Sequence, residues 1–119
     1  MFTRISHAAF EVKDGVASAR FYQQYFGFVK RVEIDSPAPG LEKIIFLTLG
    51  DTELELLQVS HPPAISGCHI SLNTDDFNGD FTQLANAGVK VGMPPVDVGG
   101  GRKRAIFPGP DGEEIEIIG

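Results

Sequence analysis

Histidine and glutamate recur at matched places in the two halves of this 119-residue chain. HAAFEVKD begins at His7 and HISLNTDD at His69, an offset of 62. LELLQ and IEIIG then place Glu55 and Glu116 at an offset of 61. Side chains alternate between the two faces of a strand, so the pattern sorts itself once these segments are read as strands. His7 shares a face with Ile5, Ala9 and Glu11, and His69 with Gly67, Ser71 and Asn73. Glu53 and Glu55 lie opposite Leu54 and Leu56, while Glu114 and Glu116 lie opposite Ile115 and Ile117. Each strand therefore has one apolar face to cover with a helix and one face bearing His or Glu. A carboxylate on the concave side of a curved sheet needs a partner, because an unpaired buried charge is costly. Two imidazoles and two carboxylates meeting there would suit a divalent cation. Taken one at a time, each of the four is an ordinary strand residue, hydrogen-bonded or facing water. Their matched positions are what make them a candidate site.

The elements that would position them repeat as well. Asp14 and Asp76 stand 62 apart, and Gly27 and Gly88 stand 61 apart. Each unit of about 60 residues reads as strand, helix and three strands. In the first, a strand over 4–12 ends at Asp14, a good helix N-cap, and Gly27 is a plausible helix stop. Ala17, Phe21, Tyr22 and Tyr25 recur at helical spacing between them. Strands follow over 28–34, 42–49 and 52–59, the last two as a hairpin around Gly50-Asp51. In the second, a strand over 67–74 precedes a helix over 76–87, with Phe77, Phe81, Leu84 and Ala85 on one face. Strands over 89–96, 102–107 and 113–118 complete it. The link His61-Pro62-Pro63-Ala64-Ile65-Ser66 is too short to separate independent domains, so residues 1–119 are expected to form a single domain of two repeats, about 1–60 and 67–119.

Composition bounds the function classes. Hydrophobic residues make up 42% and charged residues 22%, a globular balance that excludes general disorder. A net charge of -6 argues against nucleic acid as a partner. The longest stretch free of acids and bases, 56–74, holds two prolines and two histidines, and so is no membrane span. The sequence MFTRISHAAF has no apolar signal core, and the lone Cys68 fits a reducing, cytoplasmic setting. Cys68 is expected to face the helix side as a small core residue, and His61 to lie at the surface. Gly99-Gly100-Gly101 precedes Arg102-Lys103-Arg104 but opens a strand, so it is no Walker-type phosphate loop. It reads as a flexible turn with solvated charges, or as a lid bringing the anion-binding residues Arg102 and Arg104 to the mouth of a site.

The chain resembles the vicinal oxygen chelate superfamily, which includes glyoxalase I, methylmalonyl-CoA epimerase, fosfomycin-resistance enzymes and extradiol dioxygenases. The resemblance rests on HAAFEVKD with RFYQQYFGF, on GDTELELLQ, on HISLNTDD and on GPDGEEIEIIG. It implies an α+β fold in which two βαβββ units form a half-open eight-stranded cup around a metal. The motif positions fall on His7, Glu55, His69 and Glu116, with one divalent ion (Ni, Zn, Co, Mn or Fe) as cofactor. A carboxylate on the fourth strand is closer to glyoxalase I and the epimerase than to the dioxygenases. The resemblance thereby implies a lyase or isomerase that moves a proton next to a carbonyl through a metal-stabilised enediolate, with Glu116 as the base. Its substrate would be a small molecule, such as a thiol adduct or an acyl-CoA, and its assembly a homodimer. The epimerase uses a second acid–base glutamate before its third strand; here that region, 35–42, departs from its pattern, with Glu42 out of register. Alternatives are an epimerase-like isomerase, an Fe-dependent ring-cleaving dioxygenase and a metal-free drug-binding protein.

Overall fold

The computed structural model of the chain describes residues 1, 3–36, 38–63 and 69–119. Two compact units, Met1–Pro63 and Ala64–Gly119, divide it close to the sequence repeat. The first contains β1 (Ala8–Val12), α1 (Gly15–Phe26), β2 (Val29–Asp35), β3 (Leu41–Leu49) and β4 (Thr52–Val59). Its sheet runs β1-β4-β3-β2, with β1 and β4 parallel and the other pairs antiparallel. The second contains β5 (His69–Asn73), α2 (Phe77–Asn86), β6 (Met93–Gly99), β7 (Arg102–Pro108) and β8 (Glu114–Ile118). Its sheet repeats the order as β5-β8-β7-β6. Both units are therefore βαβββ, and the fold is α+β.

Local chemistry explains the boundaries. Asp14 is extended and accepts a hydrogen bond from the Ala17 amide, satisfying a helix-end donor in α1. Gly27 closes that helix at φ 74, a conformation in which a side chain would be strained. Asp76 caps α2 in the same way through the Gly79 amide. Between β6 and β7, Gly99, Gly100 and Gly101 all have positive φ, so the glycine run is a hairpin turn.

Alternation builds each core. Ile45, Leu47, Leu54 and Leu56 are buried together with Phe10, Val12 and Tyr22 in the first unit. In the second, Phe77, Leu84, Ala105, Phe107, Ile115 and Ile117 are buried. Truncating one of the leucines or isoleucines among them to alanine costs about 2–5 kcal/mol.

Three details depart from the sequence reading. The first strand begins at Ala8 rather than at residue 4, leaving His7 just ahead of it. Ala8 pairs with Leu54 of β4, which itself starts at Thr52, so the partner strand runs out within two residues. The buried face of α1 is Gly15, Ser18, Ala19 and Tyr22, while Ala17 is exposed. Small residues let the helix approach the sheet, and Gly15 donates its amide to Gln58 Oε1 at 2.8 Å. Finally, β6 lies three to four residues beyond the expected 89–96. It is an edge strand, where Pro94 and Pro95 can sit without an amide hydrogen and the register shifts between Met93 and Val96. Cys68 and its expected orientation lie outside the described residues.

The turn before β8 buries an acid. Glu113 is fully buried, accepts the Asp111 amide at Oε1, and has no partner at Oε2 among the described residues. Its backbone carbonyl accepts the Gly109 amide at 2.7 Å, and a side chain at Gly109 would collide with the Glu113 carboxyl. Burial pushes the Glu113 carboxyl above its usual value of 4.5. A raised acid pKa contributes stability below the unfolded value and loses it as pH rises through the folded one. Glu113→Gln should therefore melt roughly 4 °C above the wild type at pH 7.5, with the gap gone by about pH 4. Thermal melts across that range check this, and a gap independent of pH would refute it.

Candidate metal centre

In the first unit, parallel pairing sets Ala9 beside Glu55, and antiparallel pairing sets Phe46 on its other side. His7 reaches this face from the end of β1, with Nε2 3.6 Å from Glu55 Oε1. Its Nδ1 lies 3.0 Å from Ser6 Oγ, and its ring meets Phe46 edge-on at 5.4 Å. Arg31, at a bulge in β2, lies over the Phe46 ring at 4.9 Å and pairs with Glu53 at 2.8 Å. The two glutamates of β4 are thereby sorted. Glu53 is neutralised by arginine, whereas Glu55 has only the His7 imidazole among the described residues.

In the second unit, the same register sets Ser71 and Ile106 on either side of Glu116. Glu116 is 8% exposed although it belongs to the face bearing His69. Ser71 Oγ donates to its Oε1 at 2.6 Å, and Arg104 Nε donates to its Oε2 at 2.6 Å. The Ser71 hydrogen bond holds the Glu116 carboxyl below its usual value, and Arg104 and His69 add to that pull against the opposing effect of burial. His69 and Glu114, paired across β5 and β8, are exposed. Arg102 is exposed at the start of β7 and makes no ion pair among the described residues.

The units thus differ in chemistry at equal positions. Ala9 stands where Ser71 stands, and Ile44, paired with Leu57, stands where Arg104 is paired with Ile118. The sequence joins Arg102 and Arg104 as anion-binding residues, but in the structure Arg104 is bonded to Glu116 and Arg102 is not. Spacing alone puts Ser71 on the His69 face without a role, and it marks neither Phe46 nor Arg31. A serine level with a buried glutamate on a parallel neighbour is the available signal for Ser71. Within either unit, no three His, Cys, Asp or Glu side chains gather into a metal-holding group among the described residues. The donors present still suit a divalent ion: imidazole nitrogen and carboxylate oxygen are ordinary ligands, and an ionised carboxylate has about four acceptor positions. Glu116 uses two of those positions and Glu55 fewer.

Residues 4–117 match the model of the Glyoxalase/Bleomycin resistance protein/Dioxygenase superfamily, and the chain belongs to that superfamily. Its members typically bind a divalent metal and act on small molecules. The chain is 32% identical to the uncharacterized protein YwbC of Bacillus subtilis, over 99% of this chain and 98% of that one. It is 26% identical to the human mitochondrial methylmalonyl-CoA epimerase, over 87% of this chain and 65% of the human protein. The crystal structure of a glyoxalase family protein from Enterococcus faecalis superposes with a TM-score of 0.84 at 25% identity, covering 99% of this chain and 98% of that one. The fold is glyoxalase-like. Among the described residues, no helix is long and apolar enough to cross a membrane.

The lowered Glu116 carboxyl carries a sign. Its stabilising effect is present above the unfolded value near 4.5 and is lost as pH falls through the lower folded value. Glu116→Gln should melt roughly 4 °C below the wild type at pH 7, and the two should converge as pH falls through the lowered folded value. Melting curves that stay apart in acid would show that the ionised carboxylate is not the stabilising form.

Proposed function

We propose that the chain is a divalent-metal-dependent lyase or isomerase of glyoxalase type, catalysing proton transfer next to a carbonyl. The observation that carries this reading is the shielded carboxylate at one register position in each unit. Glu55 lies between Ala9 and Phe46 beside His7, and Glu116 between Ser71 and Ile106. Structural strand glutamates ordinarily face water, so two shielded at matched places serve a common task. In this reading His7, Glu55, His69 and Glu116 hold one ion (Ni, Zn, Co, Mn or Fe), and residues 1–119 work as a single domain.

When bound, the ion supplies Lewis-acid stabilisation of negative charge on substrate oxygen. Glu116 takes the proton from the carbon beside the carbonyl at a carboxylate oxygen and returns it to the adjacent carbon. Such acid–base transfer contributes about 10²–10⁴-fold. Ser71 keeps the carboxylate oriented through Oε1. Arg102, exposed and free of ion pairs among the described residues, is the anchor for an anionic part of the substrate, a thiol adduct or acyl-CoA. The similarity to the human epimerase favours a second reading, an epimerase-like isomerase acting on an acyl-CoA. Against it, Glu42 is exposed, and among the described residues its carboxylate accepts a hydrogen bond from Ser60 alone. The setting proposed is cytoplasmic and the assembly a homodimer, supported by exposed Val29 and Ile34 on the edge strand β2.

Isothermal titration with Ni²⁺ or Zn²⁺ tests the ligand set. His69→Ala and Glu55→Ala should each weaken binding by more than about 100-fold, beyond what loss of an outer partner costs. Glu53→Ala and Glu114→Ala should leave it unchanged, since paired glutamates two residues apart are separated by about 6.6 Å. Unchanged binding in His69→Ala would overturn the quartet. A screen of the metal-loaded protein against a hemithioacetal and an acyl-CoA epimer separates the two readings, and sedimentation tests the dimer.

A further inference from the structure

Arg104 has no counterpart in the first unit, where Ile44 occupies its position opposite Leu57. The fold therefore does not require a cation there, and Glu55 manages without one. Yet Arg104 Nε lies 2.6 Å from Glu116 Oε2, at the short end of charge-assisted hydrogen bonds, beside a side chain only 11% exposed. Ser71 holds the other oxygen. The carboxylate is thus already neutralised by a full positive charge inside its own unit. A divalent ion bound to the same carboxylate would face that guanidinium across a few ångströms in a partly desolvated place, where like charges repel strongly.

The rest of the side chain has room to leave. It is 35% exposed, and its terminal amino groups have no partner among the described residues. Ser71 would keep the carboxylate in place after the guanidinium departs.

Building on the proposed metal-binding role of Glu116, we infer that Arg104 competes with the divalent ion for this carboxylate. It is the cation that holds Glu116 in the ion-free protein, and it withdraws when the ion binds. The metal centre is then tuned by a residue that ligates nothing.

The test is Zn²⁺ titration of the full chain with wild type, Arg104→Met, Arg104→Lys and His69→Ala. Arg104→Met should bind Zn²⁺ at least about tenfold more tightly than wild type, because the repelling charge is gone. Arg104→Lys keeps the charge and should stay near the wild-type affinity. Equal or weaker binding by Arg104→Met, with wild type binding and His69→Ala not, would overturn the competition while leaving the metal centre standing. Absence of Zn²⁺ binding in wild type and Arg104→Met alike would overturn both. Should Arg104→Met fail to fold, the wild type answers alone. The Arg104 Nε–H resonance should move on saturation with Zn²⁺ as its bond to Glu116 is lost, and an unmoved resonance in the zinc-loaded protein would refute the inference.

Discussion

The parallel pairing of the first and last strands of each unit is the constraint on which everything else rests. It sets Ala9 level with Glu55 and Ser71 level with Glu116. A slip of one residue would turn every side chain of β4 or β8 to the opposite face. Leu54 and Leu56 would then leave the core, and Ile115 and Ile117 would do the same in the second unit. The apolar residues that hold the sheets against their helices thus also fix where the carboxylates stand. Fold stability and site geometry are one requirement, met twice.

The two units use that shared frame differently. In the first, two charge systems meet one aromatic ring: His7, beside Glu55, contacts Phe46 edge-on, and Arg31, paired with Glu53, lies over it. In the second, a hydroxyl and a guanidinium occupy both oxygens of one carboxylate. Repeated topology therefore supplies equal positions without equal electrostatics. Glu55 keeps more acceptor capacity free, while Glu116 is the more shielded of the pair.

Much of this is legible in the residues themselves. Caps at Asp14 and Asp76, the stop at Gly27 and the bounds of β4 come from local chemistry that tertiary packing does not override. Alternation puts the histidines and glutamates on their faces. Where packing decides, spacing misleads. The contact face of α1 depends on small residues that bring the helix close, which aromatic spacing does not reveal. The start of β6 depends on edge placement, where prolines are tolerated. Arg104 reaches Glu116 diagonally across two strands, so its bond comes from the register of β7 against β8 and not from spacing within β7. The expectation for Cys68 falls outside the described residues.

The turn between β7 and β8 links two positions that lie four apart in sequence. Gly109 stays bare because the buried Glu113 carboxyl fills the space its side chain would need, and its backbone is not in a conformation reserved for glycine. The restriction on Gly109 is therefore borrowed from its neighbour. A chain that first shortened Glu113 could later accept alanine at 109, whereas the reverse order passes through a collision. The order of the two changes, more than either change alone, decides which variants of this turn are reachable one substitution at a time.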